Sequence, residues 1–145
     1  MDSAADPFDL ERFVTAQEPV YRDVVAELRD GRKRSHWMWF VFPQLRGLGG
    51  SAMAARYGIS SLEEADAYLR HPVLGPRLRE CTRLVNKVQG RSVSQIFGSP
   101  DDLKLCSSMT LFAHATDDNQ DFVALLDKFY DGRQDEQTLQ RLPST

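Results

Sequence analysis

The sequence predicts an all-α fold, a compact multi-helical single domain with short connecting loops. Three observations carry that expectation. Apolar residues recur at three- and four-residue spacing in one stretch after another, which lines them along one face of a helix. Capping and stopping residues bracket those stretches. No alternating strand pattern, Asn-Gly hairpin or fixed-period repeat competes with them. At 145 residues the chain has the size of one domain, and folding at that length buries roughly 70% of the unfolded surface without metal or disulfide. All of 1–145 is expected to form that domain, with 1–5 and 143–145 as flexible ends.

In chain order, Asp6-Pro7 reads as an N-cap followed by proline at the first helical position, with Leu10, Phe13 and Val14 at helical spacing. Pro19 restarts the chain, Tyr21, Val24, Val25 and Leu28 form the next stripe, and Gly31 stops it. Trp37 to Phe42 is the longest apolar run and reads as a buried core element. Ser61-Leu-Glu-Glu64 has the capping-box pattern and puts Leu62, Ala65 and Leu69 inward. His71-Pro72 breaks that helix. The clearest periodicity follows, in Leu74, Leu78, Cys81, Val85 and Val88. Ser92-Val-Ser-Gln95 is a second capping box, opening a short turn that ends at Gly98. Ser99-Pro100-Asp101-Asp102 supplies a cap, a first-position proline and two carboxylates where the helix dipole favours them, opening a helix to about Ala115. Phe122, Leu125, Leu126, Phe129 and Tyr130 mark another helix stopped by Gly132, and Asp135 to Leu142 a last short one ended by Pro143.

Charge is distributed more informatively than its sum of −3 implies. Residues 1–30 carry −5, residues 31–105 carry +6 and residues 106–145 carry −4. The total excludes a broad nucleic-acid-binding surface. The basic middle either neutralises the acidic ends or holds a local anion site. No apolar run approaches the roughly 20 residues of a membrane span, and the acidic start lacks signal-peptide character. A cytoplasmic protein without membrane contact is expected. Cys81 and Cys106 are too distant for a CxxC motif and read as free thiols.

The unusual segment is Arg32-Lys-Arg-Ser-His-Trp-Met-Trp-Phe-Val-Phe-Pro-Gln-Leu-Arg46, where a cationic cluster runs into both tryptophans. Arg34, Ser35, His36, Trp37, Trp39 and Gln44 could bind a nucleotide, guanidinium on phosphate and aromatic face on base; the simpler alternative is a core element with a solvated basic entry. His36 is the one candidate for acid-base chemistry, although a histidine beside aromatics is more often a packing residue. Lys104, Ser107 and Ser108 share a helix face that could hold an oxyanion, or their hydroxyls bond preceding carbonyls. Gly47-Leu-Gly-Gly-Ser-Ala52 fits a relaxed GxGxxA pattern but lacks a βαβ setting, so it reads as a turn. No metal-ligand spacing, cofactor motif or Ser-His-Asp set is identifiable, and neither a metal nor a cofactor is expected.

Four strings occur together: His36-Trp-Met-Trp-Phe-Val-Phe-Pro-Gln-Leu-Arg-Gly-Leu-Gly49, His71-Pro-Val-Leu-Gly-Pro-Arg-Leu78, Ile96-Phe-Gly-Ser-Pro-Asp-Asp-Leu-Lys-Leu105 and Ser107-Ser-Met-Thr-Leu-Phe112. Through them the chain resembles the bacterial domain-of-unknown-function 1810 family, in its compact mycobacterial-like form, from about Phe8 to Leu142. The resemblance implies a mainly helical monomer and brings no reaction, cofactor or catalytic residue. Members of the family sometimes carry the label calpastatin, which fits poorly: a disordered inhibitor has no need of patterned helices, two Trp and eight Phe. The expected function is binding of a small phosphate-bearing or nucleotide-like ligand. The alternatives are a hydrolase of a nucleotide derivative, with His36 as acid or base, and a protein-interaction domain with exposed aromatics.

Overall fold

The computed structural model describes residues 5–143. Of the expected flexible ends, 1–4 and 144–145 lie outside the described residues. Ten α-helices run through the rest: α1 Glu11–Gln17, α2 Tyr21–Arg29, α3 Met38–Val41, α4 Ala52–Tyr57, α5 Leu62–Arg70, α6 Leu74–Asn86, α7 Val93–Phe97, α8 Asp101–Ala115, α9 Gln120–Tyr130 and α10 Glu136–Arg141. Among the described residues the only β pairing is an isolated parallel bridge, Leu45 to Ile59. The fold is all-α.

Local chemistry explains most boundaries. Asp6 caps as expected, its carboxylate accepting from the amides of Leu10 at 2.8 Å and Glu11 at 3.0 Å. Pro7 nonetheless sits in a turn and the helix starts only at Glu11. Asp9, at φ 52°, turns the chain sharply between them. The Ser92–Gln95 capping box closes in both directions. The Ser61 box closes in one: Ser61 accepts from the Glu64 amide, but the Glu64 carboxylate turns to Ser60 and Arg12 instead. Before α8, Pro100 occupies the cap position itself and no side chain caps the helix.

The core is one continuous cluster drawn from α1 to α9. α8 is its axis, buried over Leu105 and Ser107 to Phe112 on every face because α5, α7, α9 and α10 pack around it. Such a helix cannot be amphipathic, which is why its sequence shows no clean stripe. Phe13, Tyr68, Phe112 and Phe122 form a chain of ring contacts at 5.1, 5.4 and 6.0 Å between centroids.

The acidic ends pair with part of the basic middle. Arg77 reaches Glu18 at 2.7 Å, Arg83 reaches Asp121 at 2.9 Å and Arg79 reaches Asp118 at 3.9 Å. These arginines of α6 are therefore not a free basic face.

Candidate functional site

The cationic loop before Trp37 is organised from beneath by Glu27 of α2. Its Oε1 accepts from the amides of Arg34 at 2.7 Å and Ser35 at 3.0 Å and from the Trp37 indole at 2.9 Å, and its Oε2 from the Ser35 hydroxyl at 2.6 Å. Burial alone would raise the carboxyl's pKa, yet these donors hold it below its ordinary value. Trp37 is thus a core residue, 1% exposed, and the polar groups of Ser35 and Trp37 are committed to Glu27. Arg34 lies on the surface in an ion pair with Asp30 at 3.0 Å. Lys33 folds inward, donating to the Ser35 carbonyl and pairing with Asp101 at 2.9 Å.

Beyond this loop the chain is clipped to the start of α5. Ile59 N–H donates to the Gln44 carbonyl at 2.9 Å and Arg46 N–H to the Ile59 carbonyl at 2.8 Å. Gly58 permits the approach: a β-carbon there would lie 2.7 Å from the Arg46 Cα. Gly49 is equally close-packed, its notional β-carbon 2.8 Å from Ala54 Cβ and 3.1 Å from the Gln44 amide nitrogen. The glycines of the 47–52 pattern thus form a turn into α4, capped by Ser51 on the Ala54 amide at 3.0 Å.

This arrangement brings Trp39, Gln44, Lys104 and Ser107 to one place. A narrow slot lined by Met38, Trp39, Phe42, Gln44, Tyr57 and Lys104 has about 10 Å³ of water-accessible space, room for about one water molecule. Gln44 and Lys104 also line an adjoining groove of about 280 Å³ with Leu48, Leu103, Ser107 and Asp135. The Lys104 ammonium stands 5.4 Å from the Trp39 ring centroid and 3.7 Å from Asp101. Asp101 makes its shorter contact with Lys33, leaving Lys104 only loosely held. The Trp39 indole N–H is buried with no partner among the described residues.

The serine, histidine and tryptophan candidates differ in their part in this convergence. Ser107 borders the groove while donating to the Leu103 carbonyl at 3.3 Å. Ser108 is fully buried and its hydroxyl has no partner among the described residues. His36 is exposed and lines neither the slot nor the groove. Trp37 is interior and Trp39 half-buried, so the tryptophans do not form an exposed adhesive stripe. Among the described residues no cluster of three or more His, Cys, Asp or Glu is placed to hold a metal ion. Phe42, Tyr57, Leu48 and Leu103 line the site without having been singled out in the sequence. Leu103 stands out only in the structure, as an apolar residue 64% exposed in the first turn of α8.

Fold and site define a small all-helical domain with an aromatic-backed groove at the junction of α8 and the 44–49 turn. The chain belongs to the family described as "Protein of unknown function (DUF1810)", which it matches over residues 7–142. It is similar to the conserved hypothetical protein Rv1873 from Mycobacterium tuberculosis, known from a crystal structure, with 74% identity and a TM-score of 0.95 over 97% of this chain and 100% of that one. A comparison with curated proteins finds no match.

Proposed function

We propose that the groove binds a small phosphate-bearing or nucleotide-like ligand, in a monomeric cytoplasmic protein. The observation that carries the reading is the convergence of Gln44 and Lys104 on the shared wall of the groove and the aromatic slot. Lys104 offers a cation whose present partner, Asp101, is 3.7 Å away and already engaged by Lys33. Gln44 offers an amide with no side-chain partner among the described residues, able to donate and accept against a planar heteroaromatic edge. Leu48 and Leu103 supply the apolar walls on which such a ring rests. A phosphate on Lys104 and a base along Leu48 and Leu103 satisfy both ends of one ligand. No helix among the described residues is long and apolar enough to cross a membrane.

Calorimetry with a panel of nucleoside monophosphates, and ribose 5-phosphate as the base-free control, tests this. Lys104→Ala and Gln44→Ala are each expected to weaken binding by about tenfold, whereas Arg34→Ala, outside the groove, leaves it unchanged. If no member of the panel binds, or if Lys104→Ala and Gln44→Ala leave every binding event of the parent protein unchanged, the reading fails. Ribose 5-phosphate binding as tightly as the nucleotides at the Lys104-dependent site would remove the base from it.

A further inference from the structure

A second cavity lies beyond the 44–46 segment, lined by Phe8, Asp9, Arg12, Arg46 and Arg56, with a volume of about 440 Å³. Its three arginines differ sharply in what they do. Arg12 is nearly buried and all five of its N–H groups are used: Nε on the Arg56 carbonyl at 2.8 Å, one amino group on the Phe8 and Asp9 carbonyls at 2.6 and 2.8 Å, the other on the Gly58 carbonyl at 3.1 Å and Glu64 at 3.0 Å. It therefore gathers four backbone oxygens and one carboxylate, groups that would otherwise repel an anion. The other Glu64 oxygen is occupied by the amide and hydroxyl of Ser60, both at 2.8 Å.

Arg46 and Arg56 are left facing the cavity. Arg46 makes only a long contact, 3.4 Å, to the Gly58 carbonyl. Arg56 lies over the Tyr57 ring at 5.5 Å from its centroid and has no side-chain hydrogen bond among the described residues. No carboxylate of the described residues comes within ion-pair distance of either, in contrast to Arg77, Arg79 and Arg83 of the same basic middle segment. The two guanidinium groups outnumber the single carboxylate of the wall, that of Asp9. Both come from backbone that is fixed, Arg46 by its bridge to Ile59 and Arg56 by the Arg12 contact to its carbonyl.

We propose that Arg46 and Arg56 form an oxyanion site for the phosphate of a small phosphomonoester, with Phe8 covering its organic end. Guanidinium forks match phosphate oxygens bidentately. Tethering both on fixed backbone reduces the cost of ordering them. The site is separate from the groove, since Lys104 and Gln44 do not line it.

Arginine Nε–Hε NMR during titration with inorganic phosphate and with phenyl phosphate, at constant low chloride, reads the site directly. Arg46 and Arg56 are expected to shift in a saturable way while Arg22, exposed on α2, does not, and phenyl phosphate is expected to bind more tightly. Arg46→Gln and Arg56→Gln should each weaken binding about tenfold, and Lys104→Ala should not change it. Both are surface substitutions, and an unchanged thermal midpoint confirms the fold of each. Equal, unsaturable shifts at Arg22, Arg46 and Arg56, or saturable binding that survives the double Gln variant, overturns the proposal. So does loss of binding in Lys104→Ala, because the phosphate then sits in the groove. Equal affinity for the two probes overturns the part assigned to Phe8.

Discussion

Trp37 donates its indole N–H to Glu27 Oε1 at 2.9 Å inside the protein. The same carboxylate holds both amides and the hydroxyl at Arg34 and Ser35, so one side chain of α2 fixes the entry to the aromatic run. Glu27→Gln keeps the shape but turns an amide donor toward these donors, and should cost about 2–4 kcal/mol at pH 7. The folded-state pKa of Glu27 is depressed below 4.5. Its contribution is therefore complete above the unfolded value and is lost as pH falls through the folded one. Urea unfolding at neutral pH and near about pH 3 should show the gap between Glu27→Gln and the parent protein narrowing in acid. A gap independent of pH would mean that the charge on Glu27 is not what holds the loop.

Gly75 decides how closely α5 and α6 meet. A β-carbon there would stand 2.0 Å from the Leu69 carbonyl oxygen and 2.9 Å from its carbon, both backbone atoms of the last turn of α5. Alanine favours a helix interior by about 1 kcal/mol over glycine, but backbone cannot yield as a side chain does. Gly75→Ala should lose at least about 2 kcal/mol net, a Tm decrease of about 6 °C or more. An unchanged or higher Tm in calorimetry would show that the two helices slide apart freely.

Burial pushes the Cys81 thiol up to about 12 and the Cys106 thiol up to about 11, with Asp135 adding to the shift at Cys106. Both are free. At pH 8 a thiolate fraction roughly 100-fold below that of an ordinary cysteine makes Cys106 slow toward a disulfide reagent, and Cys81, fully buried, slower still. Two thiols titrating at separate rates, and both becoming fast in denaturant, is the expected result. Fast labelling of the native protein would contradict the packing of α6 and α8.

α7, with its closed capping box, and α6 and α9, with their clean apolar spacing, were readable because local chemistry decides them: Ser92 and Gln95 need only each other. What escaped was decided at a distance. α4 has too few apolar positions to show a stripe, and it is held by Ser51 and by the Leu45 to Ile59 bridge. The Ser61 box opened because Arg12, far along the chain, claims Glu64. Lys104 and Ser107 were recognisable as sharing a helix face, but their meeting with Gln44 depends on the Gly58 approach, which no spacing rule encodes. The single cationic string likewise divided into groups with different tasks: Lys33 is internal, Arg34 pairs with Asp30, and Arg46 points into another cavity.

Two of the three side-chain atoms buried without a partner among the described residues, Ser108 Oγ and Trp39 Nε1, separate cost from use. Ser108 is fully enclosed by α8 and its neighbours and lines neither the slot nor the groove. Ser108→Ala removes an unpaired hydroxyl without changing volume much and should stabilise the protein by about 1 kcal/mol, with ligand affinity unchanged. Trp39 lines the slot beside Lys104. Trp39→Phe removes an equally unpaired N–H, and the gain is offset by lost ring area, so stability should change by less than about 1 kcal/mol. Nucleotide affinity should nevertheless fall severalfold, because the cation Lys104 loses the stronger aromatic face that holds it at the groove. Measuring Tm and affinity for both variants distinguishes the two cases. Equal affinities for Trp39→Phe and the parent protein would place the ligand away from the slot, and a lower Tm for Ser108→Ala would show that its hydroxyl has a partner, such as an ordered water, in solution.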